Sequence, residues 1–181
     1  MNKKFLFIGI STLLLIGFLA WLFIESSKPL PGTKLPDLGR DHVPMDEKVE
    51  YNSNPPTSGK HFEEWTRSGV YSEEKEDKYL IHSLEHGYVI MHYKCDRVVA
   101  EGEATNSGTL DQVCEQRKDQ LASIHQTKGG TRLIVVPRKN LDTNFALTAW
   151  TYLDKFDDFD QKRIGEFIDA HINMGPEKTM E

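Results

Sequence analysis

The stretch L-I-H-S-L-E-H-G-Y-V-I-M-H-Y, residues 80–93, decides the fold. His82 and His86 stand four apart, with Glu85 between them and Gly87 next. In a turn of helix that spacing puts two side chains on one face, about 5–6 Å apart at Cβ, so both imidazoles reach one metal ion. In a strand the same spacing holds them roughly 13 Å apart, too far to share anything. The chemistry therefore asks for a helical turn at 82–86. Gly87 suits the left-handed residue that ends a helix. Beyond it Val89, Met91 and Tyr93 alternate with Tyr88, Ile90 and His92, the period of a strand with one face inward. The expectation is a single short turn feeding a strand. Such a turn is marginal alone, so packing or a bound ion must hold it.

Working outward, residues 51–62, Y-N-S-N-P-P-T-S-G-K-H-F, contain two prolines and a glycine among small polar residues. They form a structured loop that presents His61. Residues 49–51 read as a short first strand, and the charge run at 73–78 as a solvated loop or helix end. On the C-terminal side, Ser107 or Thr109 caps a helix through Leu110, Val113, Cys114, Leu121 and Ile124, which Gly129-Gly130 stops. Residues 132–136 are a β-branched strand ended by Pro137, and 145–153 are one further strand. Asp160 starts a last helix with Ile164, Phe167, Ile168 and Ile172 as its buried stripe; His171 is expected off that stripe, at the surface. His92, alternating on its strand, reads as a core-edge histidine. The fold class is α/β in the α+β sense: a small mixed sheet with two packed helices.

The chain has 181 residues, 38% apolar and 28% charged, enough for one domain plus an N-terminal extra. Residues 1–4 are a basic cytoplasmic tip and 5–24 an uncharged apolar run of the length that spans a bilayer, read as an uncleaved transmembrane helix. Residues 25–40 are a Pro/Gly-rich extended stalk, and 41–181 the globular domain. Lys3 and Lys4 stay inside by the positive-inside rule, which makes this a single-pass membrane protein with its domain outside the cytoplasm. A net charge of −6 without a Lys/Arg cluster excludes nucleic acid as a partner. Cys95 and Cys114 are expected to form a disulfide, with a pair of thiolate ligands as the rival reading.

Five of the seven histidines, His42, His61, His82, His86 and His92, fall within a third of the chain. Imidazole ligation needs three or four such rings. His42, His61, His82 and His86 are the expected ligands of one ion, copper or zinc, with Glu85 behind them to orient a ring or take a proton. Met45, Met91 or Met174 as a thioether ligand would favour copper. H-S-L-E-H also fits the H-x-x-E-H pattern of zinc hydrolases, with Glu85 as general base and Glu115 or Glu166 as a third ligand. A third reading is an envelope scaffold that docks a protein partner without metal.

The segments Y-N-S-N-P-P-T-S-G-K-H-F (51–62), G-V-Y (69–71), I-H-S-L-E-H-G (81–87), L-T-A-W (147–150) and G-P-E (175–177) together resemble a bacterial family known as domain of unknown function 3105. The resemblance implies single-pass or secreted proteins whose histidine positions correspond to His42, His61, His82 and His86. It implies no particular reaction.

Overall fold

The computed structural model describes residues 3–26, 29–95 and 107–178, with side chains over 9–23, 29–95 and 112–178. The chain divides into two units, Met1–Leu30 and Pro31–Glu181. The first is the helix α1 (Lys3–Ser26). Its large apolar side chains, from Ile10 to Phe23, are exposed. Among the described residues no helix is long and apolar enough to cross a membrane.

The second unit runs β1 (Thr33–Lys34), β2 (Gly69–Val70), α2 (Asp77–Glu85), β3 (Val89–Lys94), α3 (Ser107–Thr127), β4 (Leu133–Arg138), β5 (Phe145–Ala149), β6 (Tyr152–Phe156) and α4 (Gln161–His171). The strands form one mixed sheet in the order β1-β6-β5-β3-β4-β2. β3 and β4 run parallel because the long helix α3 carries the chain back between them, whereas β5 pairs antiparallel with both β3 and β6.

Both faces of β3 are buried, not one as the alternation suggested. Val89, Met91 and Tyr93 join Leu121 and Ile124 of α3 and Ile164, Phe167 and Ile168 of α4 in one core layer. Ile90 meets Leu80, Ile81 and Leu84 of α2, with Ile134, Val136 and Trp150, in the other. Helices on both faces leave a central strand no side open to water. The expected mixed α/β architecture is present, with three helices around the sheet instead of two.

α2 is also longer than a single turn. It begins at Asp77, inside the charge run, and Arg138 grips the Asp77 carboxylate through two bonds of 2.6 and 3.0 Å. Burying Leu80, Ile81 and Leu84 contributes about 1.5–3 kcal/mol each, which supplies what one turn lacks. Gly87 has the expected positive φ of 82°.

Other expectations need correction. Residues 49–51 form no strand. Pro137 lies inside β4: Val135 O accepts from Tyr71 N, so the next residue facing that side is Pro137, where β2 has already ended and no N–H is wanted. Residues 145–153 are two strands, folded back at Trp150-Thr151, with Thr151 at φ 61°. His171 is buried against Tyr152 and Phe167 and donates Nε2–H to Pro31 O at 2.8 Å. Seven residues after Ile164, it lies on the apolar stripe. Residues 31–40, expected as a stalk, are laid along the domain: β1 pairs with β6, Leu38 N donates to Ser58 Oγ, and Trp150 Nε1 donates to Asp37. Cys95 and Cys114 form the expected disulfide. Of the loop expected over residues 96–109, residues 96–106 lie outside the described residues and 107–109 are already the start of α3; the side chains at Ser107 and Thr109 lie outside the described ones too.

Candidate metal centre

Three loops and one helix converge on the far side of α2 from the sheet. The 51–62 loop is bolted down at several points. Thr151 N donates to Thr57 O, Gly59 N to Gly39 O, and Tyr51 OH to Lys60 O. Gly59 has φ 125°, and a Cβ there would press on the Tyr51 ring at 3.2 Å, so the sequence needs glycine at this turn. The loop delivers His61, fully buried. A two-bond bridge then carries in His42: Val43 N donates to His61 O and His61 N to Asp41 O. Onward, Phe62 N donates to Lys78 O, and Ser83 Oγ bonds both N and O of Thr66, which wraps residues 62–66 around α2 and lays the Trp65 ring 5.0 Å from His86.

The rings meet closely. Centroids of His42, His61 and His82 are mutually 4.9–5.0 Å apart, and His82 and His86 are 4.5 Å apart. His61 Nδ1–H donates to Gly59 O at 2.8 Å, and His82 Nδ1–H to Phe62 O at 2.7 Å. Those bonds fix the tautomer and leave each Nε2 as a lone pair, as metal-binding imidazoles require; that of His61 has no hydrogen-bonding partner, and that of His82 accepts from His86 Nε2–H at 3.0 Å. Burial is the main force lowering the proton affinity of both rings, which keeps them neutral.

Glu85 completes the set. Its Oε2 is 2.8 Å from His61 Nε2, yet the angles make no hydrogen bond, and both atoms are buried without another hydrogen-bonding partner. Two lone-pair acceptors pressed together in the dark of the fold call for a positive centre between them. Burial raises the Glu85 carboxyl's proton affinity, with Glu177 adding to it; Arg40, 3.6 Å from Oε1, works the other way.

Ligand atoms of His42, His61, His82 and Glu85 all lie within 4.8 Å of one another. A tetrahedron with bonds near 2.0–2.1 Å has edges of about 3.4 Å, so no pair needs to close by more than about 1.4 Å, and His61 Nε2 and Glu85 Oε2, at 2.8 Å, need only part slightly. A second set, His82, His86 and Glu177, meets the same limit and shares His82. The four imidazoles expected from the sequence are thus together, but grouped differently: Glu85 stands among the ligand atoms rather than behind them, and His86 sits in the second set.

Glu177 was missed. The G-P-E at 175–177 enters the sequence reading only through the family resemblance, yet Glu177 N donates to Glu85 O and Asn173 N to Gly87 O, so this segment is tied across the end of α2. Gly175 is the enabling residue, since a Cβ there would fall 2.1 Å from Glu85 O. Glu115 and Glu166, the carboxylates suggested earlier, pair instead with Lys118 and Lys162. Met91 lies in the core layer under α3 and α4, across the sheet from α2, and Met45 and Met174 are exposed. His92 is a core histidine, as expected, within 3.1 Å of Thr148 Oγ1.

The family model described as Protein of unknown function (DUF3105) matches residues 42–181, and the chain belongs to that family. Neither a curated protein nor a solved structure matches the chain.

Proposed function

We propose that the domain binds one divalent transition-metal ion, zinc or copper, through His42, His61, His82 and Glu85. One observation carries the reading: the buried His61 Nε2 and Glu85 Oε2, 2.8 Å apart and not hydrogen-bonded, are a pair of donors with nothing to donate to. Three imidazoles and a carboxylate, with no sulfur, suit Zn²⁺ or Cu²⁺ and give no preference for Cu⁺. Four protein ligands fill a tetrahedral shell, which favours holding an ion over activating a water.

The domain works outside the cytoplasm, tethered by α1. Three observations support this: the uncharged run at 5–24 after Lys3 and Lys4, the exposure of α1's apolar side chains, and the disulfide, which persists in oxidising compartments.

A second reading has one observation in its favour. His82, His86 and Glu177 make a three-ligand set, the composition of hydrolytic zinc sites that keep one position open. Glu85, its proton affinity raised, would then serve as general base. Glu85→Gln separates the two. As a ligand, its loss weakens Zn²⁺ binding at least about tenfold in titration calorimetry. If Zn²⁺ binds Glu85→Gln as it binds the wild type while hydrolysis of an ester or peptide panel disappears, the first reading fails and the second stands.

A further inference from the structure

The two ligand sets cannot be filled at once. They share His82, whose Nδ1–H is committed to the Phe62 carbonyl, so His82 has one nitrogen, Nε2, to give to one ion. We infer that a single ion uses both sets in succession, captured by His82, His86 and Glu177 and then passed around His82 into His42, His61 and Glu85. This rests on the metal-binding reading proposed above and adds a route to it.

The direction follows from the ligands. Each set has one exposed member, Glu177 in the first and His42 in the second, so either is in reach of an arriving ion and the direction comes from the number of ligands. The capture set has three protein ligands and leaves a position for a water or a ligand of whatever delivers the ion. The final set has four. Exchanging a three-ligand shell for a four-ligand shell runs toward tighter binding. His82 Nε2 and His86 Nε2 are 3.0 Å apart, so the ion keeps its bond to His82 while those to His86 and Glu177 break and those to His42, His61 and Glu85 form. The ion keeps its oxidation state throughout, and His86, whose Nε2–H donates to His82 Nε2 in the metal-free chain, moves that proton to Nδ1 in order to ligate. The segment bearing Glu177 is pinned by Glu177 N to Glu85 O, one residue from His86, which fixes the capturing carboxylate beside the pivot. The protein is then a loading device that takes its ion by ligand exchange, not a site that equilibrates with free metal from one side.

Stopped-flow mixing of the metal-free full chain in detergent with Co²⁺, followed by the ligand-field absorption of the ion, tests this. The wild type should bind one Co²⁺ per chain in two phases, a concentration-dependent capture and then a concentration-independent rearrangement. Glu177→Gln should slow capture at least about tenfold and reach the wild-type end-point spectrum and affinity. Glu85→Gln should keep the fast phase and lose the slow one. Two Co²⁺ per chain, or Glu177→Gln loading at the wild-type rate, overturns the route and leaves the four-ligand site standing. A wild-type chain that takes up no Co²⁺ overturns both the route and the site beneath it.

Discussion

Four buried imidazoles, His61, His82, His92 and His171, each have one nitrogen tied and burial lowering their proton affinity, and that has a consequence at the scale of a single side chain. His61, His82, His92 and His171 all have proton affinities pushed below the usual imidazole value, burial being the largest cause in each. The unfolded chain takes up protons at these positions near pH 6.5, while the folded chain waits for lower pH. Between those limits the unfolded state holds more protons, so stability falls as pH falls. Denaturant unfolding of the metal-free domain should therefore give a midpoint that drops steadily from about pH 7 downward, and His92→Gln or His171→Gln should flatten the slope. A midpoint constant between pH 7 and 5 would contradict the burial of neutral rings. Sequence spacing singled out His61 and the His82–His86 pair because loop prolines and i, i+4 geometry are local signals. Glu177 gave no such signal, since only a chain crossing nearly a hundred residues away brings it to His86.

At the scale of the element, the exit of α2 was legible, whereas its start at Asp77 and the β5–β6 turn were not. Gly87 at φ 82° is required by chirality, a constraint that any helix end shows in its own residues. Thr151 at φ 61° is held there by partners remote in sequence, donating N–H to Thr57 O and accepting from Leu35 N. A β-branched residue gives no warning of a turn. The same crossing that hid Glu177 makes a sharp prediction. In Gly175→Ala the new Cβ would meet backbone atoms, Glu85 O at 2.1 Å and Gly87 N at 2.3 Å, neither of which can swing aside. The expected cost is about 2–3 kcal/mol, read as a lower denaturation midpoint. An alanine variant as stable as the wild type would mean that the C-terminal segment does not sit on α2.

At the scale of the molecule, two devices hold the domain beyond its core. The disulfide joins the end of β3 to α3 across 19 residues of sequence. Closing such a loop stabilises the fold by about 3 kcal/mol, so reductant should lower the denaturation midpoint by that equivalent. Zn²⁺ affinity should stay unchanged, because both cysteines belong to the core layer across the sheet from the histidines. Tighter Zn²⁺ binding, or a second Zn²⁺ per chain, appearing only on reduction would point to thiolate ligands after all. The second, on the function proposed above, would be a bound ion that draws residues 41–43, the 51–62 loop and α2 onto one centre. Elemental analysis of the purified chain, with metals counted per protein, tests that claim most directly. The account predicts about one zinc or copper ion per wild-type chain, and none in a folded His61→Ala/His82→Ala variant. A metal-free wild type whose melting temperature does not move when Zn²⁺ or Cu²⁺ is added would contradict it.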